Sequence, residues 1–141
     1  MRFDISRLAR RLAGATDWLS EHPSTQSLRV GYFGASTGAA AALVAASWRP
    51  NVVGAVVSRG GRPDLAGRTL TRVEAPTLLI VGGNDVPVIA LNREAFARLS
   101  CPKSLQIVPG ATHLFEEPGA LDTVARLAGD WSLRHLPQEE R

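Results

Sequence analysis

The sequence predicts an α/β domain, a three-layer αβα sandwich with a mainly parallel sheet of about four strands. Three observations carry that expectation. Short apolar runs at residues 28–34, 52–58, 77–81 and 104–108 have the length of strands. Segments with apolar residues three and four apart lie before, between and after them, so helices and strands alternate along most of the chain. The run at 52–58, VVGAVVS, is apolar throughout, as a strand covered on both faces should be. Helices joining consecutive strands impose parallel pairing with right-handed crossovers.

The elements follow in order. Ile5, Leu8, Leu12, Ala15 and Leu19 place an amphipathic helix over residues 4–20, broken by Glu21, His22, Pro23 and Ser24. LRVGYFG at 28–34 is the first strand, and the alanine-rich stretch 37–48 is a helix stopped near Pro50. After strand 52–58 comes a Gly/Pro/Arg-rich loop at 59–68, with room for one short turn of helix. TLLIV at 77–81 leads into Gly82, Gly83, Asn84 and Asp85, and a helix covers residues 88–99. SLQIV at 104–108, a loop over 109–118 and an amphipathic helix over 119–135 complete the pattern. Residues 1–136 are expected to form one domain and 137–141 a polar tail.

Composition narrows the function classes. With 45% hydrophobic and 21% charged residues in 141, the chain reads as globular and not disordered. No apolar run approaches the roughly 20 residues of a membrane span. Arg2, Arg7, Arg10 and Arg11 hint at a transit peptide, but Asp4 and Asp17 interrupt the pattern, and no secretory signal is present. The expectation is a soluble, cytoplasmic protein with no membrane partner. Cys101 is the single cysteine, so no internal disulfide can form; it reads as a small buried residue at a strand start. The net charge of +3 is spread over scattered arginines offset by 13 acids. Without a basic run interleaved with aromatics, nucleic acid is not the expected partner.

The chemistry-bearing stretch is Gly34-Ala35-Ser36-Thr37-Gly38, set directly between a strand and a helix. This is a G-x-S-x-G nucleophile elbow in its expected context. A serine exposed on a sharp strand-to-helix turn needs strained backbone angles, which crowd the residues two before and two after it. Glycine at positions 34 and 38 is expected to relieve that crowding. The turn would also aim the Thr37 N–H, at a helix N-terminus, at a developing oxyanion.

A serine hydroxyl is a weak nucleophile unless an imidazole takes its proton, and the imidazole needs a carboxylate to hold its tautomer. Asp85 after the third strand and His113 after the fourth supply that order. Asp64, in GRPD after the second strand, is the rival acid. His22 reads as a solvated loop residue, and His135 as a last-turn histidine complementing its helix dipole. Glu116 and Glu117 read as first-turn residues of the last helix.

The phrases GYFGASTGAAAAL, AVVSRGGRPDLAG, APTLLIVGGNDVPV and PGATHLFEEPGAL together resemble the dienelactone-hydrolase-like branch of the α/β-hydrolase superfamily. The likeness runs over residues 3–136, with the motif regions in the family's order. It implies Ser36, Asp85 and His113 as catalytic triad and Thr37 as one oxyanion donor, with no metal and no organic cofactor. Dienelactone hydrolase itself has cysteine at the elbow, so serine here points to esterase-like members acting on a small-molecule ester, lactone or related acyl substrate. The family's full fold carries about four more strands ahead of the elbow strand, with a loop that gives a second oxyanion N–H. This sequence is a truncated α/β-hydrolase fold by that measure, and it has no HGGG-type loop.

Strand 28–34 is therefore expected to lie at an exposed edge of the sheet. That predicts either a homodimer through residues 29–34 or a fragment of a longer polypeptide. It also opens an alternative function: a catalytically weak or inactive module that self-associates or binds a partner through that edge. The loop at 59–68 is expected to border the site, where its arginines would favour an acidic substrate.

Overall fold

Alanine dominates α2 (Thr37–Trp48), and that composition organises the molecule. Ala39 to Leu43, Ala45 and Ala46 are all buried, so the helix has no solvent stripe. Their small side chains let neighbouring elements come close on several sides: α1 (Ile5–Glu21), the first two strands, and a 3-10 segment at Pro63–Arg72. The computed structural model describes residues 4–136.

The strands are β1 (Val30–Ala35), β2 (Val53–Arg59), β3 (Thr77–Gly82) and β4 (Lys103–Val108), with α3 (Val86–Arg98) and α4 (Ala120–His135) completing the order. They pair side by side in chain order, all parallel, as the alternating pattern predicted. The register aligns Ala35 with Arg59, Arg59 with Ile80, and Gly82 with Val108. Every strand-to-helix loop therefore leaves from one edge of the sheet, where reactive groups of open α/β sheets collect.

Two apolar clusters cover the two faces. On one, Ala9, Ala13, Leu43, Val53, Val56, Leu70, Leu79, Ala95 and Leu99 join α1, α2, the 3-10 segment and α3 to the sheet. On the other, Ala55, Val57, Leu78, Ile80 and Val108 meet Val124 and Trp131 of α4 and Phe115 of the loop before it. At roughly 25 cal/mol per Å² of apolar surface removed from water, these clusters are the main favourable term holding the layers together. β2 and β3 sit between both clusters, which explains their unbroken apolar runs. Among the described residues, no helix is long and apolar enough to cross a membrane.

Three details depart from the sequence reading. β1 starts at Val30, because the Leu28 amide closes a turn onto the Thr25 carbonyl. The 3-10 segment is longer than the single turn expected and is kinked at Gly67, whose φ is 57°. In α1 the buried side chains are Ala9, Ala13 and Thr16, while Leu8 and Ala15 face solvent. Close packing on the alanine helix favours the small stripe over the leucine one. Thr16 Oγ1 also shares a hydrogen bond with the Tyr32 hydroxyl, and Arg49 donates two to Asp17, tying α1 to β1 and to the end of α2.

Candidate active site

β1 ends at Ala35, and Ser36 turns the chain into α2 with φ 51° and ψ −129°. Left-handed φ in a residue with a side chain costs of order 1–3 kcal/mol and persists only where the surroundings enforce it. A serine preceding a helix ordinarily caps it, but Ser36 makes no side-chain cap bond. Its Oγ lies 3.2 Å from His113 Nε2 instead. The crowding expected at both elbow glycines is found at one. A Cβ on Gly34 would stand 2.7 Å from the Gly38 carbonyl oxygen, whereas a Cβ on Gly38 meets nothing within 4 Å. Gly38 already lies in the helix, with its would-be side chain pointing outward.

The acid and base loops are zipped together by main chain. The Gly83 amide donates to the Val108 carbonyl at 2.8 Å, and the Asn84 amide to the Ala111 carbonyl at 2.9 Å. Asn84 Nδ2 adds a bond to the Gly110 carbonyl at 3.2 Å. The approach is so close that a Cβ on Gly82 would stand 2.4 Å from the Ala111 oxygen. Held this way, Asp85 Oδ2 lies 2.9 Å from His113 Nδ1. An ionised carboxylate can only accept, so Nδ1–H donates to Asp85 and Nε2 is left to accept from the Ser36 hydroxyl. Asp85 is mostly shielded, with its side chain 14% exposed against 43% for His113.

The structure brings Ser36, His113 and Asp85 together at one open cleft of about 430 Å³, lined also by Thr37, Arg62 and Val88. Thr37, the first residue of α2, thus stands beside Ser36 at the cleft, where a helix N-terminus carries free amides. Asp64, the rival acid, is engaged elsewhere: Arg62 donates to it from Nε at 3.0 Å and Nη2 at 2.9 Å. That carboxylate pushes the Arg62 guanidinium further up from its ordinary range. Of the 59–68 loop, Arg62 thus reaches the cleft, with its charge partly offset by Asp64.

The remaining candidates lie apart from the triad. His22 is exposed, stacked on Trp18 and bonded to Ser24. His135 stacks on Trp131 at 4.2 Å between ring centroids. Burial, helped by Arg134, pushes its pKa down, which opposes the charge that the end of α4 would favour. Cys101 is buried before β4, and burial pushes its thiol pKa up.

Sequence reasoning missed Glu117. α4 starts at Ala120, after Gly119 at φ 81°, so Glu117 belongs to the loop and not to the helix's first turn. Its carboxylate accepts from the Thr112 amide at 2.9 Å and the Thr112 hydroxyl at 2.7 Å, bracing the residue next to His113. Those bonds hold the Glu117 carboxyl below its usual range.

The dienelactone hydrolase family model matches residues 2–132. The chain belongs to the dienelactone hydrolase family. A dienelactone hydrolase from Anabaena variabilis, solved as a crystal structure, is 64% identical and superposes with a TM-score of 0.95, over 97% of this chain and 63% of that one. A Mycobacterium tuberculosis protein provisionally named a phosphoribosyl transferase is 62% identical over 95% of this chain. This family member spans only 30% of that relative's length. A Paleococcus ferrophilus monoacylglycerol lipase, 17% identical with a TM-score of 0.76 over 94% of this chain and 76% of that one, shares the fold.

Proposed function

We propose that this dienelactone hydrolase family member is a serine hydrolase acting on carboxylic esters, lactones or related acyl compounds. The observation that carries the reading is the unbroken relay from Ser36 Oγ to His113 Nε2 at 3.2 Å and from His113 Nδ1 to Asp85 Oδ2 at 2.9 Å. Ser36 Oγ attacks the acyl carbon and passes its proton to His113 Nε2. The carbonyl oxygen takes up the electron pair and faces the Thr37 N–H at the start of α2. Collapse of the tetrahedral adduct breaks the acyl–oxygen bond, and His113 returns the proton to the departing alkoxide. Water then attacks the acyl-serine with His113 as base, releasing the carboxylic acid and restoring the Ser36 hydroxyl. Asp85 keeps Nδ1–H oriented and stabilises the imidazolium in both halves.

The phosphoribosyl transferase name of the mycobacterial relative attaches to a protein of which this chain matches 30%. The groups at the present cleft support acyl transfer to water, and the name is not carried over to this chain. The test is labelling with a fluorophosphonate: the folded protein should react, and Ser36→Ala should abolish the reaction. Folded protein that stays unlabelled would remove the enzymatic reading.

A second reading, an association module, is favoured by one observation. β1 is an outer strand of the sheet, and its Phe33 is 57% exposed. Such an edge offers an unpaired backbone to a second copy. Light scattering at tens of micromolar should then give a dimer that Phe33→Lys dissociates; a monodisperse monomer would count against this reading.

A further inference from the structure

The strained backbone of Ser36 is held through its carbonyl. That oxygen accepts from the Ala39 amide at 3.2 Å, within the elbow helix, and from the Arg62 amide at 3.0 Å, across from the loop after β2. The second bond matters only if the loop is fixed, and the loop is pressed flat on α2: a Cβ on Gly61 would stand 2.1 Å from Ser58 Oγ and 2.5 Å from Ala39 Cβ. Beneath it lies Asn92 of α3, fully buried at 0% exposure. Its Nδ2 donates to the Gly61 carbonyl at 3.1 Å and to the Val88 carbonyl at 2.9 Å. Packing alone would be better served by leucine, because a buried amide costs free energy unless hydrogen-bonded. The direction of the Asn92 bonds explains its presence: they tie α3 to the residue preceding Arg62.

We propose that Asn92 is a positioning residue for the nucleophile. By fixing Gly61 it fixes the Arg62 N–H against the Ser36 carbonyl, which keeps Ser36 at its strained angles with Oγ on His113. The inference rests on the reading of Ser36 as nucleophile and extends it to a side chain that does not line the cleft. A misplaced serine lowers the rate of attack while leaving substrate affinity nearly untouched.

The test compares Asn92→Leu, which keeps the number and branching of the side-chain heavy atoms and deletes both bonds, with Val124→Ala, a core change in α4 on the opposite face of the sheet. Both are measured at a temperature where circular dichroism shows each fully folded. Asn92→Leu should lower the fluorophosphonate labelling rate at least tenfold, and lower kcat for p-nitrophenyl butyrate with KM within twofold. Val124→Ala should stay within twofold of the parent in both. Labelling of Asn92→Leu within twofold of the parent, or an equal fall in Val124→Ala, overturns the proposal. If the parent itself does not label, the serine-hydrolase reading fails, and amide exchange decides the inference separately. The Arg62 amide should exchange faster in Asn92→Leu while the Gly60 amide, bonded to the Ile80 carbonyl, stays protected. Unchanged Arg62 protection overturns it.

Discussion

Asp85 meets His113 Nδ1 from a position that is mostly shielded from water, and in the proposed mechanism the carboxylate's charge selects the tautomer with its proton on Nδ1. Asp85→Asn leaves the shape intact but can donate to Nδ1, which turns the ring's proton toward Ser36. The expected outcome is a fall in kcat of about 10⁴, the size seen when a triad carboxylate is neutralised elsewhere, with little change in thermal stability. Steady-state hydrolysis of p-nitrophenyl esters checks it. At this scale the three side chains that meet at the cleft could be picked out beforehand, because each follows an apolar run that had to be a strand. Glu117 could not. Beside Pro118 and three residues before an apolar-periodic segment it looks like a helix start. The left-handed Gly119 that moves the start to Ala120 leaves no mark beyond a glycine.

The contact between β1 and α2 depends on glycine at one side of the elbow only. Gly34→Ala sets a Cβ 2.7–2.9 Å from main-chain atoms of Gly38 and Ala39, which cannot rotate away. We expect a loss of about 3 kcal/mol by urea unfolding, at the upper end of what overpacking typically costs. Gly38→Ala should be neutral or stabilising by up to about 1 kcal/mol, since a helical glycine is replaced with open space around it. Equal destabilisation by both would contradict the geometry. The order of β1–β4 and α1–α4 was legible because apolar period separates strand from helix, whereas the 3-10 segment was not. The buried stripe of α1 was not, because the leucine pattern marks the most hydrophobic side, while the partner helix selects for the closest one.

For the molecule as a whole, the shifted groups divide stability into separate pH windows. Burial holds the folded His135 pKa below its ordinary 6.5, so the unfolded chain takes up a proton first. Stability is then full above pH 6.5 and falls as pH drops through 6.5 toward the lower folded value. Asp17 and Glu117 are shifted down by their hydrogen-bond partners, and their contributions persist to lower pH, being lost below the unfolded values of 3.8 and 4.5. His135→Phe, which keeps a ring on Trp131, should flatten the slope of the urea midpoint just below pH 6.5 and leave the acid limb in place. A slope unchanged by the substitution would assign it to another group. Layering on both sheet faces was readable from the run at 52–58. The outer place of β1 was expected from the family resemblance alone, since an edge strand and a covered one can share the same residues.

The acid and base are braced by peptide groups: Gly83 to Val108 and Asn84 to Ala111. The side chains next along the chain, Val86 and Leu114, are 66% and 59% exposed. Positions 86 and 114 can therefore be varied while the contact of Asp85 with His113, anchored by main-chain bonds of other residues, stays in place.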